Sequence, residues 1–353
     1  MNESRIFWTG DDSDSAPHDE KTVFLEPGAA PPAPPSARQL FVQHYGRIRE
    51  WLTAVEPPGI ALVALDADAV RGAAYLAAKP SSVSTAIIGR HSRADLRLSD
   101  PSLSLRHLVI LLYPRPHETP GVRFRLLDLR TATGFIDERG KRLRALEADG
   151  PAFVCCGRYW LLFFPVASKS TQWPDEPDAA WQRIPDRLYL DEVETEEKSH
   201  KWEKESDRAW EVDKLPKLKE PPTLVHRLAG PQMALHELVD DSEKSLGELH
   251  LASNRGAASV VVGESAARAG VLLGRSRRCD AGRVLSDRSI SRVHLLVIEI
   301  AGRLYAIDTA SYNGTWGDDG QERVTPLEPE RALSLGDVAS LVWRQHGERP
   351  LAG

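Results

Sequence analysis

The sequence is short of the features that mark secreted, membrane-spanning and metal-binding proteins. Only three cysteines occur among 353 residues, an adjacent pair at Cys155 and Cys156 and a lone Cys279, and neither a disulfide framework nor a metal site has that spacing. The first residues lack the basic flank and apolar core of a signal peptide. No apolar run approaches the roughly 20 residues that span a bilayer. These absences predict a cytoplasmic protein with no membrane partner, no metal and no cofactor.

Excess positive charge and catalytic motifs are missing as well. The formal net charge of -6 and a pI near 6.0 argue against the broad basic surface that nucleic-acid binding needs. No phosphate-binding P-loop, nucleophile elbow or H-E-x-x-H zinc motif occurs. Ser291 and His294 lie three residues apart, but no acidic residue is placed to orient the histidine as a base. We therefore predict that the chain is not an enzyme and does not bind nucleic acid.

Composition and periodicity divide the chain into five segments. The N-terminal arm is acidic and then proline-rich, which predicts disorder, and apolar residues recur at helical spacing from Phe41 to Val55, which predicts an amphipathic helix packed on the domain that follows. Short β-rich runs broken by turns predict two domains, and a charged stretch with four tryptophans predicts the linker. We expect part of that linker to lie against a domain surface. The predicted segments are a disordered arm (1–37), the helix (38–56), a first domain (60–168), the linker (169–246) and a second domain (247–346).

The two predicted domains repeat one ten-residue motif. "LSDRSISRVH", beginning at Leu285, and "LSDPSLSLRH", 187 positions earlier at Leu98, are identical at six of ten positions. The similarity continues upstream, where "RGAASVVV" at Arg255 matches "RGAAYLAA" at Arg71. Because both blocks consist of short strands separated by turns, the predicted fold class is all-β, with two β-sandwiches.

The second copy carries three groups of polar residues at the ends of successive strands: Gly274 and Arg275, Ser291 to His294, and Asn313 to Thr315. Loops at one end of a sandwich meet in space, so these groups would form one polar surface. A guanidinium with a hydroxyl and backbone amides suits a phosphate. The order of the motifs, with sixteen residues from Arg275 to Ser291, resembles that of forkhead-associated (FHA) domains.

This resemblance implies a β-sandwich that binds phosphothreonine in an extended peptide of a partner protein. It implies that Arg275 and Ser291 hold the phosphate, that Arg292 assists, and that Asn313 bonds the peptide main chain just after the phosphothreonine. Three further residues would shape the loops: Gly274, His294 and Gly314. The implied partners are phosphothreonine-containing proteins, either Ser/Thr kinases or their substrates, and the chain would act as a signalling adaptor.

The first copy matches this pattern less completely. Arg90, Ser104 and His107 are present, but Thr133 stands where the second copy has its asparagine, and threonine cannot offer the amide's donor and acceptor together. Arg106 also sits beside the histidine instead of directly after the serine. We therefore expect either a weaker phosphothreonine site at Arg90 and Ser104 or a degenerate copy used for packing.

Two alternative functions follow from the same residues. Two binding domains joined by a long linker would hold two phosphorylated partners together as a scaffold. Alternatively, Thr22 in "DEKTVFLEP" is a candidate phosphosite, because the stretch loosely resembles the arm of small actinobacterial FHA regulators. Its phosphate would then dock on the second domain and inhibit the chain. The abundance of proline, alanine and arginine indicates a bacterial origin.

Overall fold

The chain folds into two β-rich units, Met1–Ala229 and Gly230–Gly353. Strands far outnumber helices in both units, which confirms the all-β fold class. The computed structural model describes residues 6–7, 35–56, 58–80, 82–114, 122–166, 173–185, 187–191, 223–227 and 243–346.

Fourteen strands of the first unit form two seven-stranded sheets. Their bounds are β1 Ile6–Phe7, β2 Gly59–Leu65, β3 Val70–Ala77, β4 Ser84–Gly89, β5 Leu96–Arg97, β6 Leu108–Pro114, β7 Val122–Asp128, β8 Phe135–Ile136, β9 Arg142–Leu143, β10 Ala145–Ala148, β11 Ala152–Cys156, β12 Tyr159–Val166, β13 Arg187–Asp191 and β14 Thr223–Arg227. One sheet has the order β1-β3-β2-β12-β11-β8-β9, and the other has the order β13-β14-β10-β7-β6-β4-β5.

A hydrophobic core fills the space between these two sheets. Residues of strands β2 to β12 contribute to it, at alternate positions such as Ile60 and Leu62 in β2 and Ile110 and Leu112 in β6. Phe124 stacks on a phenylalanine of the facing sheet with ring centroids 5.3 Å apart. The alternation of inward and outward side chains is what the two-residue period of a strand requires.

A helix covers the outer face of the first sheet. Helix α1, Ala37–Ala54, begins after Ser36, whose hydroxyl accepts a hydrogen bond from the backbone N–H of Gln39. Its buried face follows the predicted spacing and packs against outward residues of β2 and β12: the face consists of Ala37, Leu40, Phe41, Tyr45, Ile48 and Leu52.

The first residues of the predicted linker belong to the first unit. A short helix, α2, Pro177–Gln182, follows Trp173. Trp181 lies 5.2 Å from the ring of Phe41 in α1, and Trp173 meets Phe164 edge-on at 5.5 Å. These aromatic side chains join the apolar layer on the outer face of the sheet, so the unit extends past the boundary expected at residue 168. Trp202 and Trp210 lie outside the described residues.

The described residues of the second unit form ten strands in two sheets and one short helix, α3, Glu264–Ala269, which the apolar spacing did not predict. The strands are β15 Ser245–Ser253, β16 Gly256–Gly263, β17 Val271–Leu273, β18 Leu295–Ile300, β19 Arg303–Asp308, β20 Thr315–Gly317, β21 Gly320–Glu322, β22 Val324–Pro326, β23 Ala332–Leu335 and β24 Ala339–Gln345. The sheets have the orders β16-β15-β24-β23-β20-β21 and β17-β18-β19-β22. Side chains of both sheets enclose one core, which includes Leu249, Leu273, Val297 and Leu341.

Part of the predicted N-terminal arm is described. Within residues 1–37, Ile6 and Phe7 pair antiparallel with β3, opposite Ala74 and Ala73. The candidate phosphosite Thr22 lies outside the described residues. In the ranges given above, no helix has the length and apolar character needed to cross a membrane.

Candidate functional site

Two loops of the second unit meet at one end of its four-stranded sheet. Leu295 at the start of β18 pairs with Leu273 at the end of β17 on one side and with Asp308 at the end of β19 on the other. The loop from residue 274 to 294 and the loop that follows Asp308 therefore leave the sheet side by side. This pairing brings together the three groups of polar residues singled out in the sequence.

His294 joins the loops from below. Its ring is fully buried, and Nδ1 accepts a hydrogen bond from the backbone N–H of Ser291 at 3.2 Å. Nε2 lies 3.1 Å from the carbonyl oxygen of Gly314 and donates to it, because the accepting Nδ1 leaves the proton on Nε2. The buried ring of His294 thus fixes the spacing between the loop that carries Ser291 (the serine loop) and the loop that carries Asn313 (the asparagine loop).

Gly274 lets the start of the loop, which carries Arg275, approach the end of the same loop, which carries Ser291. A β-carbon at this position would lie 2.5 Å from the carbonyl oxygen of Arg292 and 2.9 Å from the backbone nitrogen of His294. The backbone is in turn fixed by the N–H of Arg275, which donates to the carbonyl of Ser291 at 3.1 Å. A residue with a side chain at position 274 would push these two segments of the loop apart.

The close contacts and hydrogen bonds among residues 274, 275, 291, 292, 294 and 314 form what we call the loop frame. Arg275 and Ser291, the predicted phosphate ligands, are part of it. The Arg275 side chain is exposed, and among the residues that the structure describes its guanidinium has no ion-pair or hydrogen-bond partner. Ser291 is 8% exposed, and its hydroxyl accepts a hydrogen bond from the backbone N–H of Tyr312 at 2.9 Å. Since a hydroxyl that accepts one bond still has its own proton to donate, Ser291 can donate to an anion beside Arg275.

Arg292 has a half-buried side chain and a backbone that belongs to the frame. Its carbonyl oxygen accepts hydrogen bonds from the N–H of Ser276 at 2.9 Å and from the thiol of Cys279 at 3.2 Å. The residue therefore contributes structure through its main chain, and its cationic side chain adds positive charge to the same surface.

Asn313 is held by a contact that its sequence neighbours did not reveal. Its Nδ2 donates to the carbonyl oxygen of Ser289 at 2.9 Å, which turns the amide toward the serine loop. The main-chain carbonyl oxygen of Asn313 accepts a hydrogen bond from the indole nitrogen of Trp316 at 2.8 Å. Trp316 and Tyr312 are 44% and 68% exposed, so two aromatic rings flank Asn313 at the surface. Sequence reasoning assigned no binding role to either ring.

Asp308 is a further residue of the site that sequence reasoning missed. It is buried and accepts hydrogen bonds from the Ser311 backbone N–H at 2.7 Å, from the Ser311 hydroxyl at 2.6 Å and from the Thr315 hydroxyl at 2.8 Å. These bonds shape the turn that presents Asn313. The repeat contained the signal, because Asp128 occupies the equivalent place in the first copy and accepts from the backbone N–H of Thr131.

The first unit reproduces the loop frame almost bond for bond. His107 accepts from the Ser104 N–H at 3.0 Å and bonds the Gly134 carbonyl at 3.0 Å. The Arg90 N–H donates to the Ser104 carbonyl at 3.1 Å, the same distance as in the second unit. The difference lies in the side chains, since Nε of Arg90 donates to the carbonyl of Leu103 at 3.0 Å and Arg106 is buried.

His294 does not activate Ser291 as a nucleophile, and the thiols of Cys155 and Cys156 in the first unit are not activated either. Nδ1 of His294 accepts the main-chain N–H of Ser291 and so cannot take the proton of the serine hydroxyl. Burial raises the pKa of the Cys155 thiol to about 11 and that of Cys156 well above its ordinary value, which keeps both thiols protonated. Within the described ranges, no three histidine, cysteine, aspartate or glutamate side chains are grouped to hold a metal ion.

Comparison with known proteins finds one domain family twice. The family model for the FHA domain matches residues 86–147 and 271–341. Among solved structures, Mycobacterium tuberculosis Rv1747 FHA-1 is 24% identical over 29% of this chain and 100% of that chain, with a TM-score of 0.24. The FHA domain of the Chlamydia trachomatis CT664 protein is 21% identical over 28% of this chain and 99% of that chain, with a TM-score of 0.24. M. tuberculosis EmbR in complex with a low-affinity phosphopeptide is 18% identical over 29% of this chain and 26% of that chain, with a TM-score of 0.24. No curated protein sequence matches the chain significantly.

Proposed function

This chain is a tandem FHA domain protein, and we propose that its second domain binds phosphothreonine in proteins modified by Ser/Thr kinases. FHA domains are phosphopeptide-binding modules, and the two matches support an adaptor role for the chain. The observation that carries the proposal is the exposed guanidinium of Arg275, which has no partner among the described residues and projects from a loop bonded to Ser291. A surface arginine next to an available hydroxyl is a ready partner for a dianionic phosphate.

Each predicted residue has a role in this proposal. Arg275 supplies the fork of donors for the phosphate, Ser291 donates one further hydrogen bond, and Arg292 adds charge. Asn313, whose amide is held at the carbonyl of Ser289, bonds the peptide main chain that follows the phosphothreonine. Gly274, His294 and Gly314 keep the loops at the spacing that this requires.

The experiment titrates the full chain with a fluorescent phosphothreonine peptide library and with the unphosphorylated library. We expect binding only to the phosphorylated peptides, and about 10- to 100-fold weaker binding by Arg275→Ala, because charged hydrogen bonds contribute about 1.5–3 kcal/mol. Arg303→Ala is the matched control, since Arg303 is exposed and begins β19 at the end of the sheet away from the loops. Phosphate-independent binding, or equal losses in both variants, would refute the proposal.

The first domain is proposed to be an accessory module. The Arg90 guanidinium is engaged by the backbone of Leu103, and Leu105 follows Ser104 where the second domain has its second arginine. A two-site scaffold would need phosphate binding at Arg90 and Ser104. Arg90→Ala is therefore expected to leave phosphopeptide binding unchanged, and a loss of avidity for a peptide with two distant phosphothreonines would favour the scaffold instead.

A self-inhibited switch through Thr22 is the second candidate, favoured by the position of this residue between two anchored elements. Thr22 lies fifteen residues after Phe7 of β1 and fifteen before Ala37 of α1. A phosphate on such a tethered segment would compete at high effective concentration with peptides in solution. Enzymatic phosphorylation of Thr22 should then weaken peptide binding, and Thr22→Ala should abolish that effect. An unchanged affinity after complete phosphorylation would exclude the switch.

A further inference from the structure

The loop between β17 and β18 of the second domain is unusually rich in arginine. Residues 275–294 contain six arginines and two aspartates, and no lysine or glutamate, in a chain whose net charge is -6. One phosphate needs one or two arginines. The arginines are Arg275, Arg277, Arg278, Arg283, Arg288 and Arg292.

The FHA fold does not require an arginine at three of these six positions, as the internal repeat demonstrates. The backbone N–H of Ser289 donates to Oδ1 of Asp287 at 2.8 Å. In the first copy, the N–H of Ser102 donates to Oδ1 of Asp100 at 2.7 Å, so the two loops are equivalent at these positions. At the positions of Arg277, Arg288 and Arg292 the first copy has, respectively, Ser92, Pro101 and Leu105. A loop of the same geometry is therefore built without these three arginines.

The two aspartates of the loop lower its formal charge to +4, and their oxygens accept hydrogen bonds within the fold. Asp280 is buried, and its Oδ2 accepts from the backbone N–H of Leu272 at 2.9 Å. Asp287 accepts from the N–H and hydroxyl of Ser289 and from Nδ2 of Asn254. The Ser289 N–H, followed by the Asn254 bond, holds the pKa of Asp287 below its ordinary value.

Backbone contacts place the arginines around the proposed phosphate site. Arg277 follows Ser276, whose N–H bonds the carbonyl of Arg292, and Arg288 precedes Ser289, whose carbonyl accepts from Asn313. Arg283 follows Gly282, where a β-carbon would lie 2.7 Å from the carbonyl of Ser276. In the described part of the chain, the exposed side chains at 275, 277, 283 and 288 have neither ion pairs nor hydrogen bonds.

We propose that the second domain selects phosphothreonine peptides that carry at least one further anionic group, a second phosphate or neighbouring carboxylates, which the exposed arginines at 277, 283 and 288 bind. The inference rests on the proposed phosphothreonine site and names its preferred ligand class. Four exposed arginines of one loop, which have no partners among the described residues, repel one another, and a second anion relieves that repulsion as well as gaining its own contacts. A phosphate carries close to two negative charges and would benefit more than a carboxylate.

The test compares four peptides of one sequence on the full chain: phosphothreonine alone, phosphothreonine with a nearby phosphoserine, phosphothreonine with nearby glutamates, and the glutamate peptide without phosphate. We expect the diphosphorylated peptide to bind about tenfold tighter than the singly phosphorylated one, with the glutamate peptide between them. The double variant Arg277→Ser/Arg288→Gln should abolish this advantage while retaining affinity for the singly phosphorylated peptide. Arg303→Gln, which removes one exposed arginine elsewhere, should leave the advantage intact.

The outcomes separate this inference from the proposed function. If phosphothreonine alone is bound but the added anions give no advantage, the inference is wrong and the phosphothreonine site stands. If no phosphopeptide binds, the proposed function fails first. A single-stranded oligonucleotide that displaces the peptides equally well would assign the arginines to general polyanion binding and overturn the inference. An anion advantage that survives in the double variant would overturn it too.

Discussion

The buried histidine at the base of the site allows the loop frame to be tested apart from ligand binding. His294→Phe retains roughly the volume of the ring but removes both of its hydrogen bonds. The buried N–H of Ser291 then loses the acceptor Nδ1, which costs about 1–3 kcal/mol. The Gly314 carbonyl keeps its bond from the N–H of Gly336, so its loss is smaller. The expected destabilisation of the second domain is therefore about 2–4 kcal/mol.

Amide hydrogen exchange measured by mass spectrometry on the full chain resolves where that loss occurs. Because each 1.4 kcal/mol is a factor of ten, protection of β17 to β19 should fall about 30- to 1000-fold. Peptides from β4 to β7 should be unaffected. His107→Phe is the matched variant, since His107 makes the same two bonds in the first domain, and it should reverse the pattern.

A specific result would refute this reasoning. If His294→Phe lowers the protection of β17 to β19 less than about threefold, the histidine bonds do not hold the loops. A broad loss in both domains would also contradict it, because the contacts of His294 lie within the second domain alone.

Three other predictions concern the loop frame of the second domain, the extent of the first domain and a buried carboxylate of the first domain. Gly274→Ala should destabilise the second domain by about 2–3 kcal/mol in denaturant titration, because the new β-carbon meets the carbonyl of Arg292. Trp181→Ala should destabilise the first domain by about 2–3 kcal/mol, because the half-buried ring packs on Phe41; an unchanged midpoint would mean that α2 is not part of that domain. Burial alone would raise the pKa of Asp66, but an arginine and two backbone N–H groups outweigh it and lower the pKa. The stability that Asp66 contributes is thus present above its unfolded pKa of about 3.9 and is lost as pH falls through the lower folded value, so the stability gap to Asp66→Asn should close in acid.

The repeat made most of the fold predictable from sequence. The shared motif at Leu98 and Leu285 located both loops, and the short β-rich runs separated by turns indicated two sandwiches. The spacing of Phe41 and Tyr45 located helix α1 to within two residues of its ends. Each of these signals lies in the letters of short stretches, so it could be read without knowing which distant residues come into contact.

Features that depend on distant contacts could not be predicted in this way. The charged composition after residue 168 indicated a linker, yet Trp181 packs on Phe41, 140 positions earlier, and joins the first domain. The bond from Asn313 to the carbonyl of Ser289 is also invisible in sequence, because it joins two loops that only the pairing of β17, β18 and β19 brings together. Apolar patterning reports which side of an element is buried, but not what covers it.

The two copies separate what builds the loops from what would bind a ligand. The histidines, His107 and His294, hold the same spacing in both domains, so the frame does not depend on the surface arginines. In the first domain, Arg90 donates to the main-chain carbonyl of Leu103. In the second domain, Arg275 is exposed and has no partner among the described residues. A fold that keeps its geometry after its ligand-facing side chains diverge can retain a packing role. Any difference in ligand binding between the two domains therefore depends on the surface side chains of these loops, where the two domains differ.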